Sequence, residues 1–118
     1  MFTCAIIYIK SIVDMSSRIF ERLTDPLPDR HIWSGGASRN GKVYMGVYPT
    51  GQFCEYDIRT GSCEVYAPMP EGTRGVYVQG FSELPDGRIL VGLDGAKPSF
   101  VIYNPVSQRI ESIHNVDL

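Results

Sequence analysis

The chain has 118 residues, the length of one small domain. Its 11 Lys and Arg against 13 Asp and Glu leave a formal charge of −2, which argues against the clustered basic charge of a nucleic-acid or membrane-surface protein. With 43% hydrophobic and 20% charged residues it reads as globular rather than disordered, and 12 Gly, 8 Pro and 7 Tyr favour turn-rich β structure.

Residues 1–10 are apolar but fall well short of the ~20 residues that span a bilayer. They carry no basic lead and no small-residue cleavage site, so they predict a buried or edge strand rather than a secretory signal. Residues 16–23 also suit a short helix, with apolar spacing across Ile19, Phe20 and Leu23.

From residue 31 onward the chain repeats itself. Asn40-Gly41-Lys42-Val43-Tyr44-Met45-Gly46-Val47 aligns with Asp86-Gly87-Arg88-Ile89-Leu90-Val91-Gly92-Leu93 at an offset of 46. Phe53, Tyr56, Asp57 and Thr60 then align with Phe100, Tyr103, Asn104 and Ser107 at 47, so one residue is inserted in the intervening loop. A weaker third copy precedes these, with Asp25-Pro26-Leu27-Pro28 matching Ala67-Pro68-Met69-Pro70.

Each full unit predicts four strands: residues 31–34, 43–48, 53–57 and 62–67 in the first, and 76–81, 89–93, 100–104 and 109–114 in the second. Asn40-Gly41 and Asp86-Gly87 supply the positive φ that tight hairpins need. The apolar runs are short and nearly continuous, which suits sheets buried on both faces.

Three cysteines cannot all pair. With the hairpin turning at residues 58–61, Tyr56 faces Cys63, and Cys54 is diagonal to Cys63 rather than opposite it, a poor disulfide geometry. Two His residues and no C-x-x-C argue against zinc. Free thiols at Cys4, Cys54 and Cys63 point to a reducing compartment, hence a cytoplasmic location.

Four strands in about 46 residues is the signature of a β-propeller blade. The predicted fold is all-β, with antiparallel four-stranded propeller blades: residues 31–70 one blade, 71–118 a second, and 1–30 the outer strands of a partial blade or an N-terminal cap. About two and a half blades do not close a ring, which takes at least about 4. The expectation is therefore self-association, such as a ring of three chains, or missing blades supplied by the rest of a longer protein.

Asp86-Gly87-Arg88-Ile89-Leu90-Val91-Gly92 resembles the D-G-x-hydrophobic-W/Y-hydrophobic strand of the streptogramin lyase (virginiamycin B lyase-like) propellers. The stretch from Tyr56 to Pro70 is similar to that family's D-P-x-T-G-x-x-x-E-Y-x-L-P hairpin and exit. The resemblance covers residues 33–113, and gluconolactonase-like and NHL-repeat proteins belong to the same superfamily. It implies a propeller fold. The lyases use a magnesium ion with His and Glu residues at the top of the channel. This chain has only His31 and His114, with no His-x-Glu or Glu-x-His pair. The resemblance therefore carries over no catalytic residue, metal ligand or cofactor.

In a propeller the first strand of each blade lines the channel, and the loops at one mouth receive ligands. Here that mouth collects Arg30, His31 and Trp33, then Arg74, Tyr77 and Gln79, with Tyr48, Gln52, Asp94 and Lys97 from the second-to-third-strand loops. Trp33, Tyr48 and Tyr77 are the candidates for stacking on a sugar or other flat ligand; the alternative, favoured for Trp33 and Tyr77, is that they fill the core between blades. Arg30 and Arg74 are either a bidentate clamp for a carboxylate or phosphate, or solvated loop arginines. His31, without a placed carboxylate, reads as structural rather than as a general base. Asp94 and Glu83 are the acids to consider for acid or metal chemistry. The ligand-binding set is Trp33, Tyr48, Arg74 and Tyr77, with no catalytic or metal residue. The expected function is a non-catalytic propeller module binding a glycan, a small polar ligand or a partner protein, without nucleic acid or membrane. The alternative is a fragment of a propeller lyase or hydrolase whose catalytic residues lie mostly elsewhere.

Overall fold

In a computed structural model the turn motifs separate eleven strands, and no helix occurs among the described residues, which are 3–6, 11–14, 19–22, 31–95 and 97–116. The strands are β1 (Thr3–Ile6), β2 (Ser11–Asp14), β3 (Ile19–Arg22), β4 (His31–Ala37), β5 (Lys42–Tyr48), β6 (Phe53–Asp57), β7 (Cys63–Tyr66), β8 (Tyr77–Glu83), β9 (Ile89–Asp94), β10 (Ser99–Asn104) and β11 (Arg109–Asn115). They form a three-stranded sheet, β1-β2-β3, and two four-stranded sheets, β4-β5-β6-β7 and β8-β9-β10-β11, with all neighbours antiparallel. The chain is thus all-β. Among the described residues no helix is long and apolar enough to cross a membrane.

The short helix that residues 16–23 also suit does not form at Ile19–Arg22, which is a strand paired to β2, with Phe20 opposite Val13. So short a segment does not hold a helix by itself, and a neighbouring strand offers it a full hydrogen-bond ladder. Residues 16–18 and 23 lie outside the described residues. β4 also runs three residues further than expected. Gly35 and Gly36, beyond the expected strand end, pair with Met45 and Tyr44. Gly36 lies against Phe81 of β8, where an added Cβ would come within 3.1 Å of the Phe81 Cβ.

The two four-stranded units are copies down to their hydrogen bonds. Gly41 N donates to Ser38 O in one, and Gly87 N donates to Leu84 O in the other. In the turns between the third and fourth strands, Asp57 Oδ1 accepts from Arg59 N at 2.9 Å and Thr60 N at 3.3 Å. Asn104 Oδ1 accepts from Val106 N at 2.9 Å and Ser107 N at 3.4 Å in the same way. Both turns end in a left-handed residue: Gly61 at φ 75° in the first unit, but Gln108 at φ 58° in the second. An L side chain there costs about 1–2 kcal/mol relative to glycine. Gln108→Gly is therefore expected to stabilise the protein by about 1 kcal/mol, less whatever chain entropy the glycine adds to the unfolded state. A urea titration showing an unchanged or lower midpoint would contradict this.

The core lies between the two four-stranded sheets. Tyr44 and Phe53 of the first meet Val78, Ile89, Val91, Leu93, Val101 and Tyr103 of the second, all nearly inaccessible to solvent. Each such side chain contributes about 1.5–3 kcal/mol on burial. Gly46 makes the close approach possible: an added Cβ would overlap Val78 Cβ and Cγ1 and lie 2.8 Å from Ser34 Oγ. The Ser34 hydroxyl donates to Val78 O across the same junction. The opposite face of the first sheet, with Val43, Met45, Cys54 and Tyr56, is also buried. Burial on both faces explains why the apolar residues of β5 and β6 run on without alternating.

One carboxyl is enclosed in this core. Glu55 is 2% exposed and accepts a 2.8 Å hydrogen bond from Tyr44 Oη, its cross-strand partner. Tyr103 Oη donates to Tyr66 Oη at 2.9 Å close by. Burial, then the Glu55 hydrogen bond, pushes the Tyr44 phenol far above its ordinary range. Burial, then the Tyr66 hydrogen bond, does the same to Tyr103. Cys54 and Cys63 form no disulfide and stand on diagonal positions, Tyr56 facing Cys63 as expected. A hydrogen bond with Cys54 holds the Cys63 thiol below the usual range.

Candidate functional site

The site grows from an irregularity in β4. His31 pairs with Tyr48 and Ile32 with Val47, but the next pair is Ser34 with Gly46, so Trp33 is an extra residue in the ladder. Such a bulge bends the strand and re-aims the side chain. β8 repeats it: Val78 pairs with Leu93 and Gly80 with Gly92, leaving Gln79 as the extra residue.

The bulge leaves Trp33 52% exposed, so the reading of Trp33 as core filler is corrected. Trp33 stands near the start of β4 against Tyr77, with ring centroids 4.8 Å apart and planes at 61°. Tyr77 in turn stacks on Tyr48 at 4.3 Å and 24°, and Trp33 lies 6.1 Å from Tyr48. Tyr77 is half-buried and belongs to this ring cluster, whereas the core between the sheets is built by other residues. A hydrogen bond to Tyr48 raises the Tyr77 phenol above its ordinary range, and the Asp94 charge adds to this. The rings pack on one another rather than around a void, so they offer a ridge for stacking and not an enclosing cage.

Polar groups flank the ridge. Gln79 Nε2 donates to Asp94 Oδ2 at 3.4 Å, and Asp94 Oδ1 accepts from Gly95 N at 2.8 Å. On the other flank, Val76 N donates to Pro49 O at 2.9 Å, and Thr50 forms a parallel bridge with Val76. These contacts tie the β5–β6 loop to the approach to β8 and frame a cleft of about 400 Å³ with Thr50, Gln52, Glu71 and Thr73 on its polar sides and Ala67 and Met69 among its apolar lining. Thr50 Oγ1 donates to Gln52 Oε1 at 2.7 Å, and Thr73 Oγ1 to Pro70 O at 2.6 Å.

Of the sequence-derived set, the structure brings Trp33, Tyr48 and Tyr77 into mutual contact. Arg74 is exposed in the β7–β8 loop, three residues before Tyr77, and takes no part in the ring contacts. Arg30, and the side chains of Cys4 and His31, lie outside the described residues. The two acids do not share a site. Asp94 sits beside the first residue of β8, whereas Glu83 is its last, about 20 Å away at 3.3 Å per residue. Glu83 is held instead by Arg39, whose backbone N donates to Oε1 at 2.6 Å and whose guanidinium pairs with Oε2. Those bonds lower its pKa. Among the described residues no group of three or more His, Cys, Asp and Glu is placed to hold a metal ion.

Sequence reasoning missed Glu71 and Thr73. The Thr50–Val76 parallel bridge and the Val76 N–Pro49 O hydrogen bond bring their loop beside Gln52, and no local pattern announces such contacts. Comparison of the chain with protein-family models, curated protein sequences and solved structures finds no match.

Proposed function

We propose that the chain is a non-catalytic binding module built from β-propeller blades, which takes a carbohydrate or small polar ligand at the mouth formed by Trp33, Tyr48 and Tyr77. The observation that supports this is the bulged, half-exposed Trp33 resting on a stacked tyrosine pair beside a cleft lined by hydroxyl, amide and carboxyl groups. An aromatic face takes the apolar side of a sugar ring at little entropic cost, while the cleft supplies donors and acceptors for its hydroxyls. Arg74, exposed three residues before Tyr77, would pair with a carboxylate on an acidic ligand. Cys54 and Cys63 form no disulfide, which supports a reducing, cytoplasmic setting.

Trp33 is the single tryptophan, so its emission reports directly on the site. Titration with neutral and acidic mono- and oligosaccharides is expected to shift that emission saturably. Tyr48→Ala is expected to weaken binding about tenfold, and Arg74→Ala to weaken acidic sugars selectively by a similar factor. Both variants should keep the thermal midpoint within a few degrees. Binding unchanged by both substitutions, or no saturable response to any sugar, would refute the reading.

A further inference from the structure

We propose that Met45, Cys54 and Cys63 form a binding site for one soft monovalent metal ion, Cu(I), held by two thiolates and a thioether on the face of β5–β7 turned away from the second four-stranded sheet. The site shares no residue with the aromatic mouth.

Register puts the three sulfur side chains together. Met45 of β5 is directly opposite Cys54 of β6, so the two share a face. Tyr56, two residues on from Cys54 and on that same face, is opposite Cys63 of β7. The three residues thus step across neighbouring strands. They pack in one cluster, in which Met45 and Cys54 are buried and Cys63 is half-buried.

The spacing of the two thiols suits a metal better than a disulfide. Cys54 and Cys63 are hydrogen-bonded to each other and form no covalent bond. A disulfide needs its sulfurs about 2.05 Å apart and its Cβ atoms about 3.8 Å apart, closer than a diagonal pair stands. Two sulfurs each about 2.3 Å from one ion lie about 3.8–4 Å from each other. That is the range over which thiols share a hydrogen bond, so the ion enters with little movement of the strands. Each thiol releases its proton to solvent as its metal–sulfur bond forms.

The donors and their surroundings select the metal. Thiolate and thioether together favour Cu(I), whereas zinc takes a fuller set of Cys, His and carboxylate ligands. The neighbours of the three sulfurs are Val43, Tyr56, Ile32 and Ile58, none of them a carboxylate or an imidazole. Among the described residues no His, Asp, Glu or further Cys joins the thiol pair in a metal-binding group. β7 is the outermost strand of its sheet, and the partial exposure of Cys63 gives the ion a way in. Beneath it, the apolar shell around Cys54 and Met45 keeps water from the ion.

Fully reduced protein, titrated without oxygen against Cu(I) held by the chelator bicinchoninate, is expected to withdraw one ion per chain and to gain in thermal midpoint. Cys63→Ser is expected to weaken binding at least about a hundredfold, and Met45→Leu about tenfold. Cys63→Ser alters a half-exposed atom and should keep the metal-free midpoint within a few degrees. Should it fail to fold, Met45→Leu, an apolar exchange of similar volume, carries the test. Cys4→Ser should leave binding unchanged, and X-ray absorption of the loaded protein should show sulfur ligands alone. A wild-type chain that leaves Cu(I) on the chelator, binding that survives Cys63→Ser or Met45→Leu, binding lost with Cys4→Ser, or zinc held as tightly as copper would each overturn the proposal.

Discussion

Gly46→Ala is expected to be among the most damaging single substitutions in this chain, lowering stability by about 3 kcal/mol. The added methyl overlaps Val78, a core side chain of the facing sheet, and crowds Ser34 Oγ, which holds the Val78 carbonyl. Neither neighbour is a flexible tip that swings away. The sheets must separate or Val78 must leave its rotamer, and either response disturbs the contacts of Tyr44, Phe53 and Val101. Gly92→Ala is the internal control, because it makes the same chemical change at the equivalent place of the repeat, in open space. Urea unfolding of dilute protein should give a much lower midpoint for Gly46→Ala and an unchanged or slightly higher one for Gly92→Ala. Equal effects would show that the inter-sheet contact is not what requires glycine at residue 46.

The second large effect is alkaline lability. The Tyr44 and Tyr103 phenols are buried and hydrogen-bonded, and both are raised far above the ordinary tyrosine value near 10. In the unfolded chain they lose their protons from about pH 10 upward, while the folded chain keeps them. The unfolded state then binds fewer protons, so stability is full below pH 10 and falls above it. The slope is about 1.4 kcal/mol per pH unit for each tyrosine that stays protonated only when folded. Urea midpoints measured between pH 8 and about 12 should therefore be level at first and then drop steeply. Tyr44→Phe removes one such proton and should reduce the slope. It should also cost about 1.5–3 kcal/mol near neutral pH, because the buried Glu55 loses its 2.8 Å donor. A flat profile through pH 11 would mean that these phenols reach solvent in the folded state.

Much of the architecture is local and was open to reading in the chain itself. Asn40-Gly41 and Asp86-Gly87 mark their hairpins, because positive φ is a property of one residue and its immediate neighbours. The one-residue insertion between the repeats falls in the β5–β6 and β9–β10 loops, where a change of length disturbs no ladder. The facing of Tyr56 and Cys63 follows from the turn between them, since turn length sets register. The same locality placed Tyr48 and Tyr77 at strand ends on one side of the units.

What the sequence left open was decided by sheets meeting sheets. Gly35 and Gly36 lie beyond the strand that the sequence predicts, yet they continue β4, with Phe81 of another sheet against Gly36. Glu55 occupies an apolar-patterned strand as a carboxyl and is tolerated there because Tyr44 reaches it from the neighbouring strand. Trp33 looks like core by composition, but the bulge turns it to the mouth. A bulge is one residue of slack in a hydrogen-bond ladder, and its position is set where the two strands must satisfy both their own pairing and the packing of Val78 over Gly46. Periodicity along one strand carries information about the two faces of that strand. It carries none about which distant side chain will press on either face, and that pressure is what gathered Trp33, Tyr48 and Tyr77 into one place.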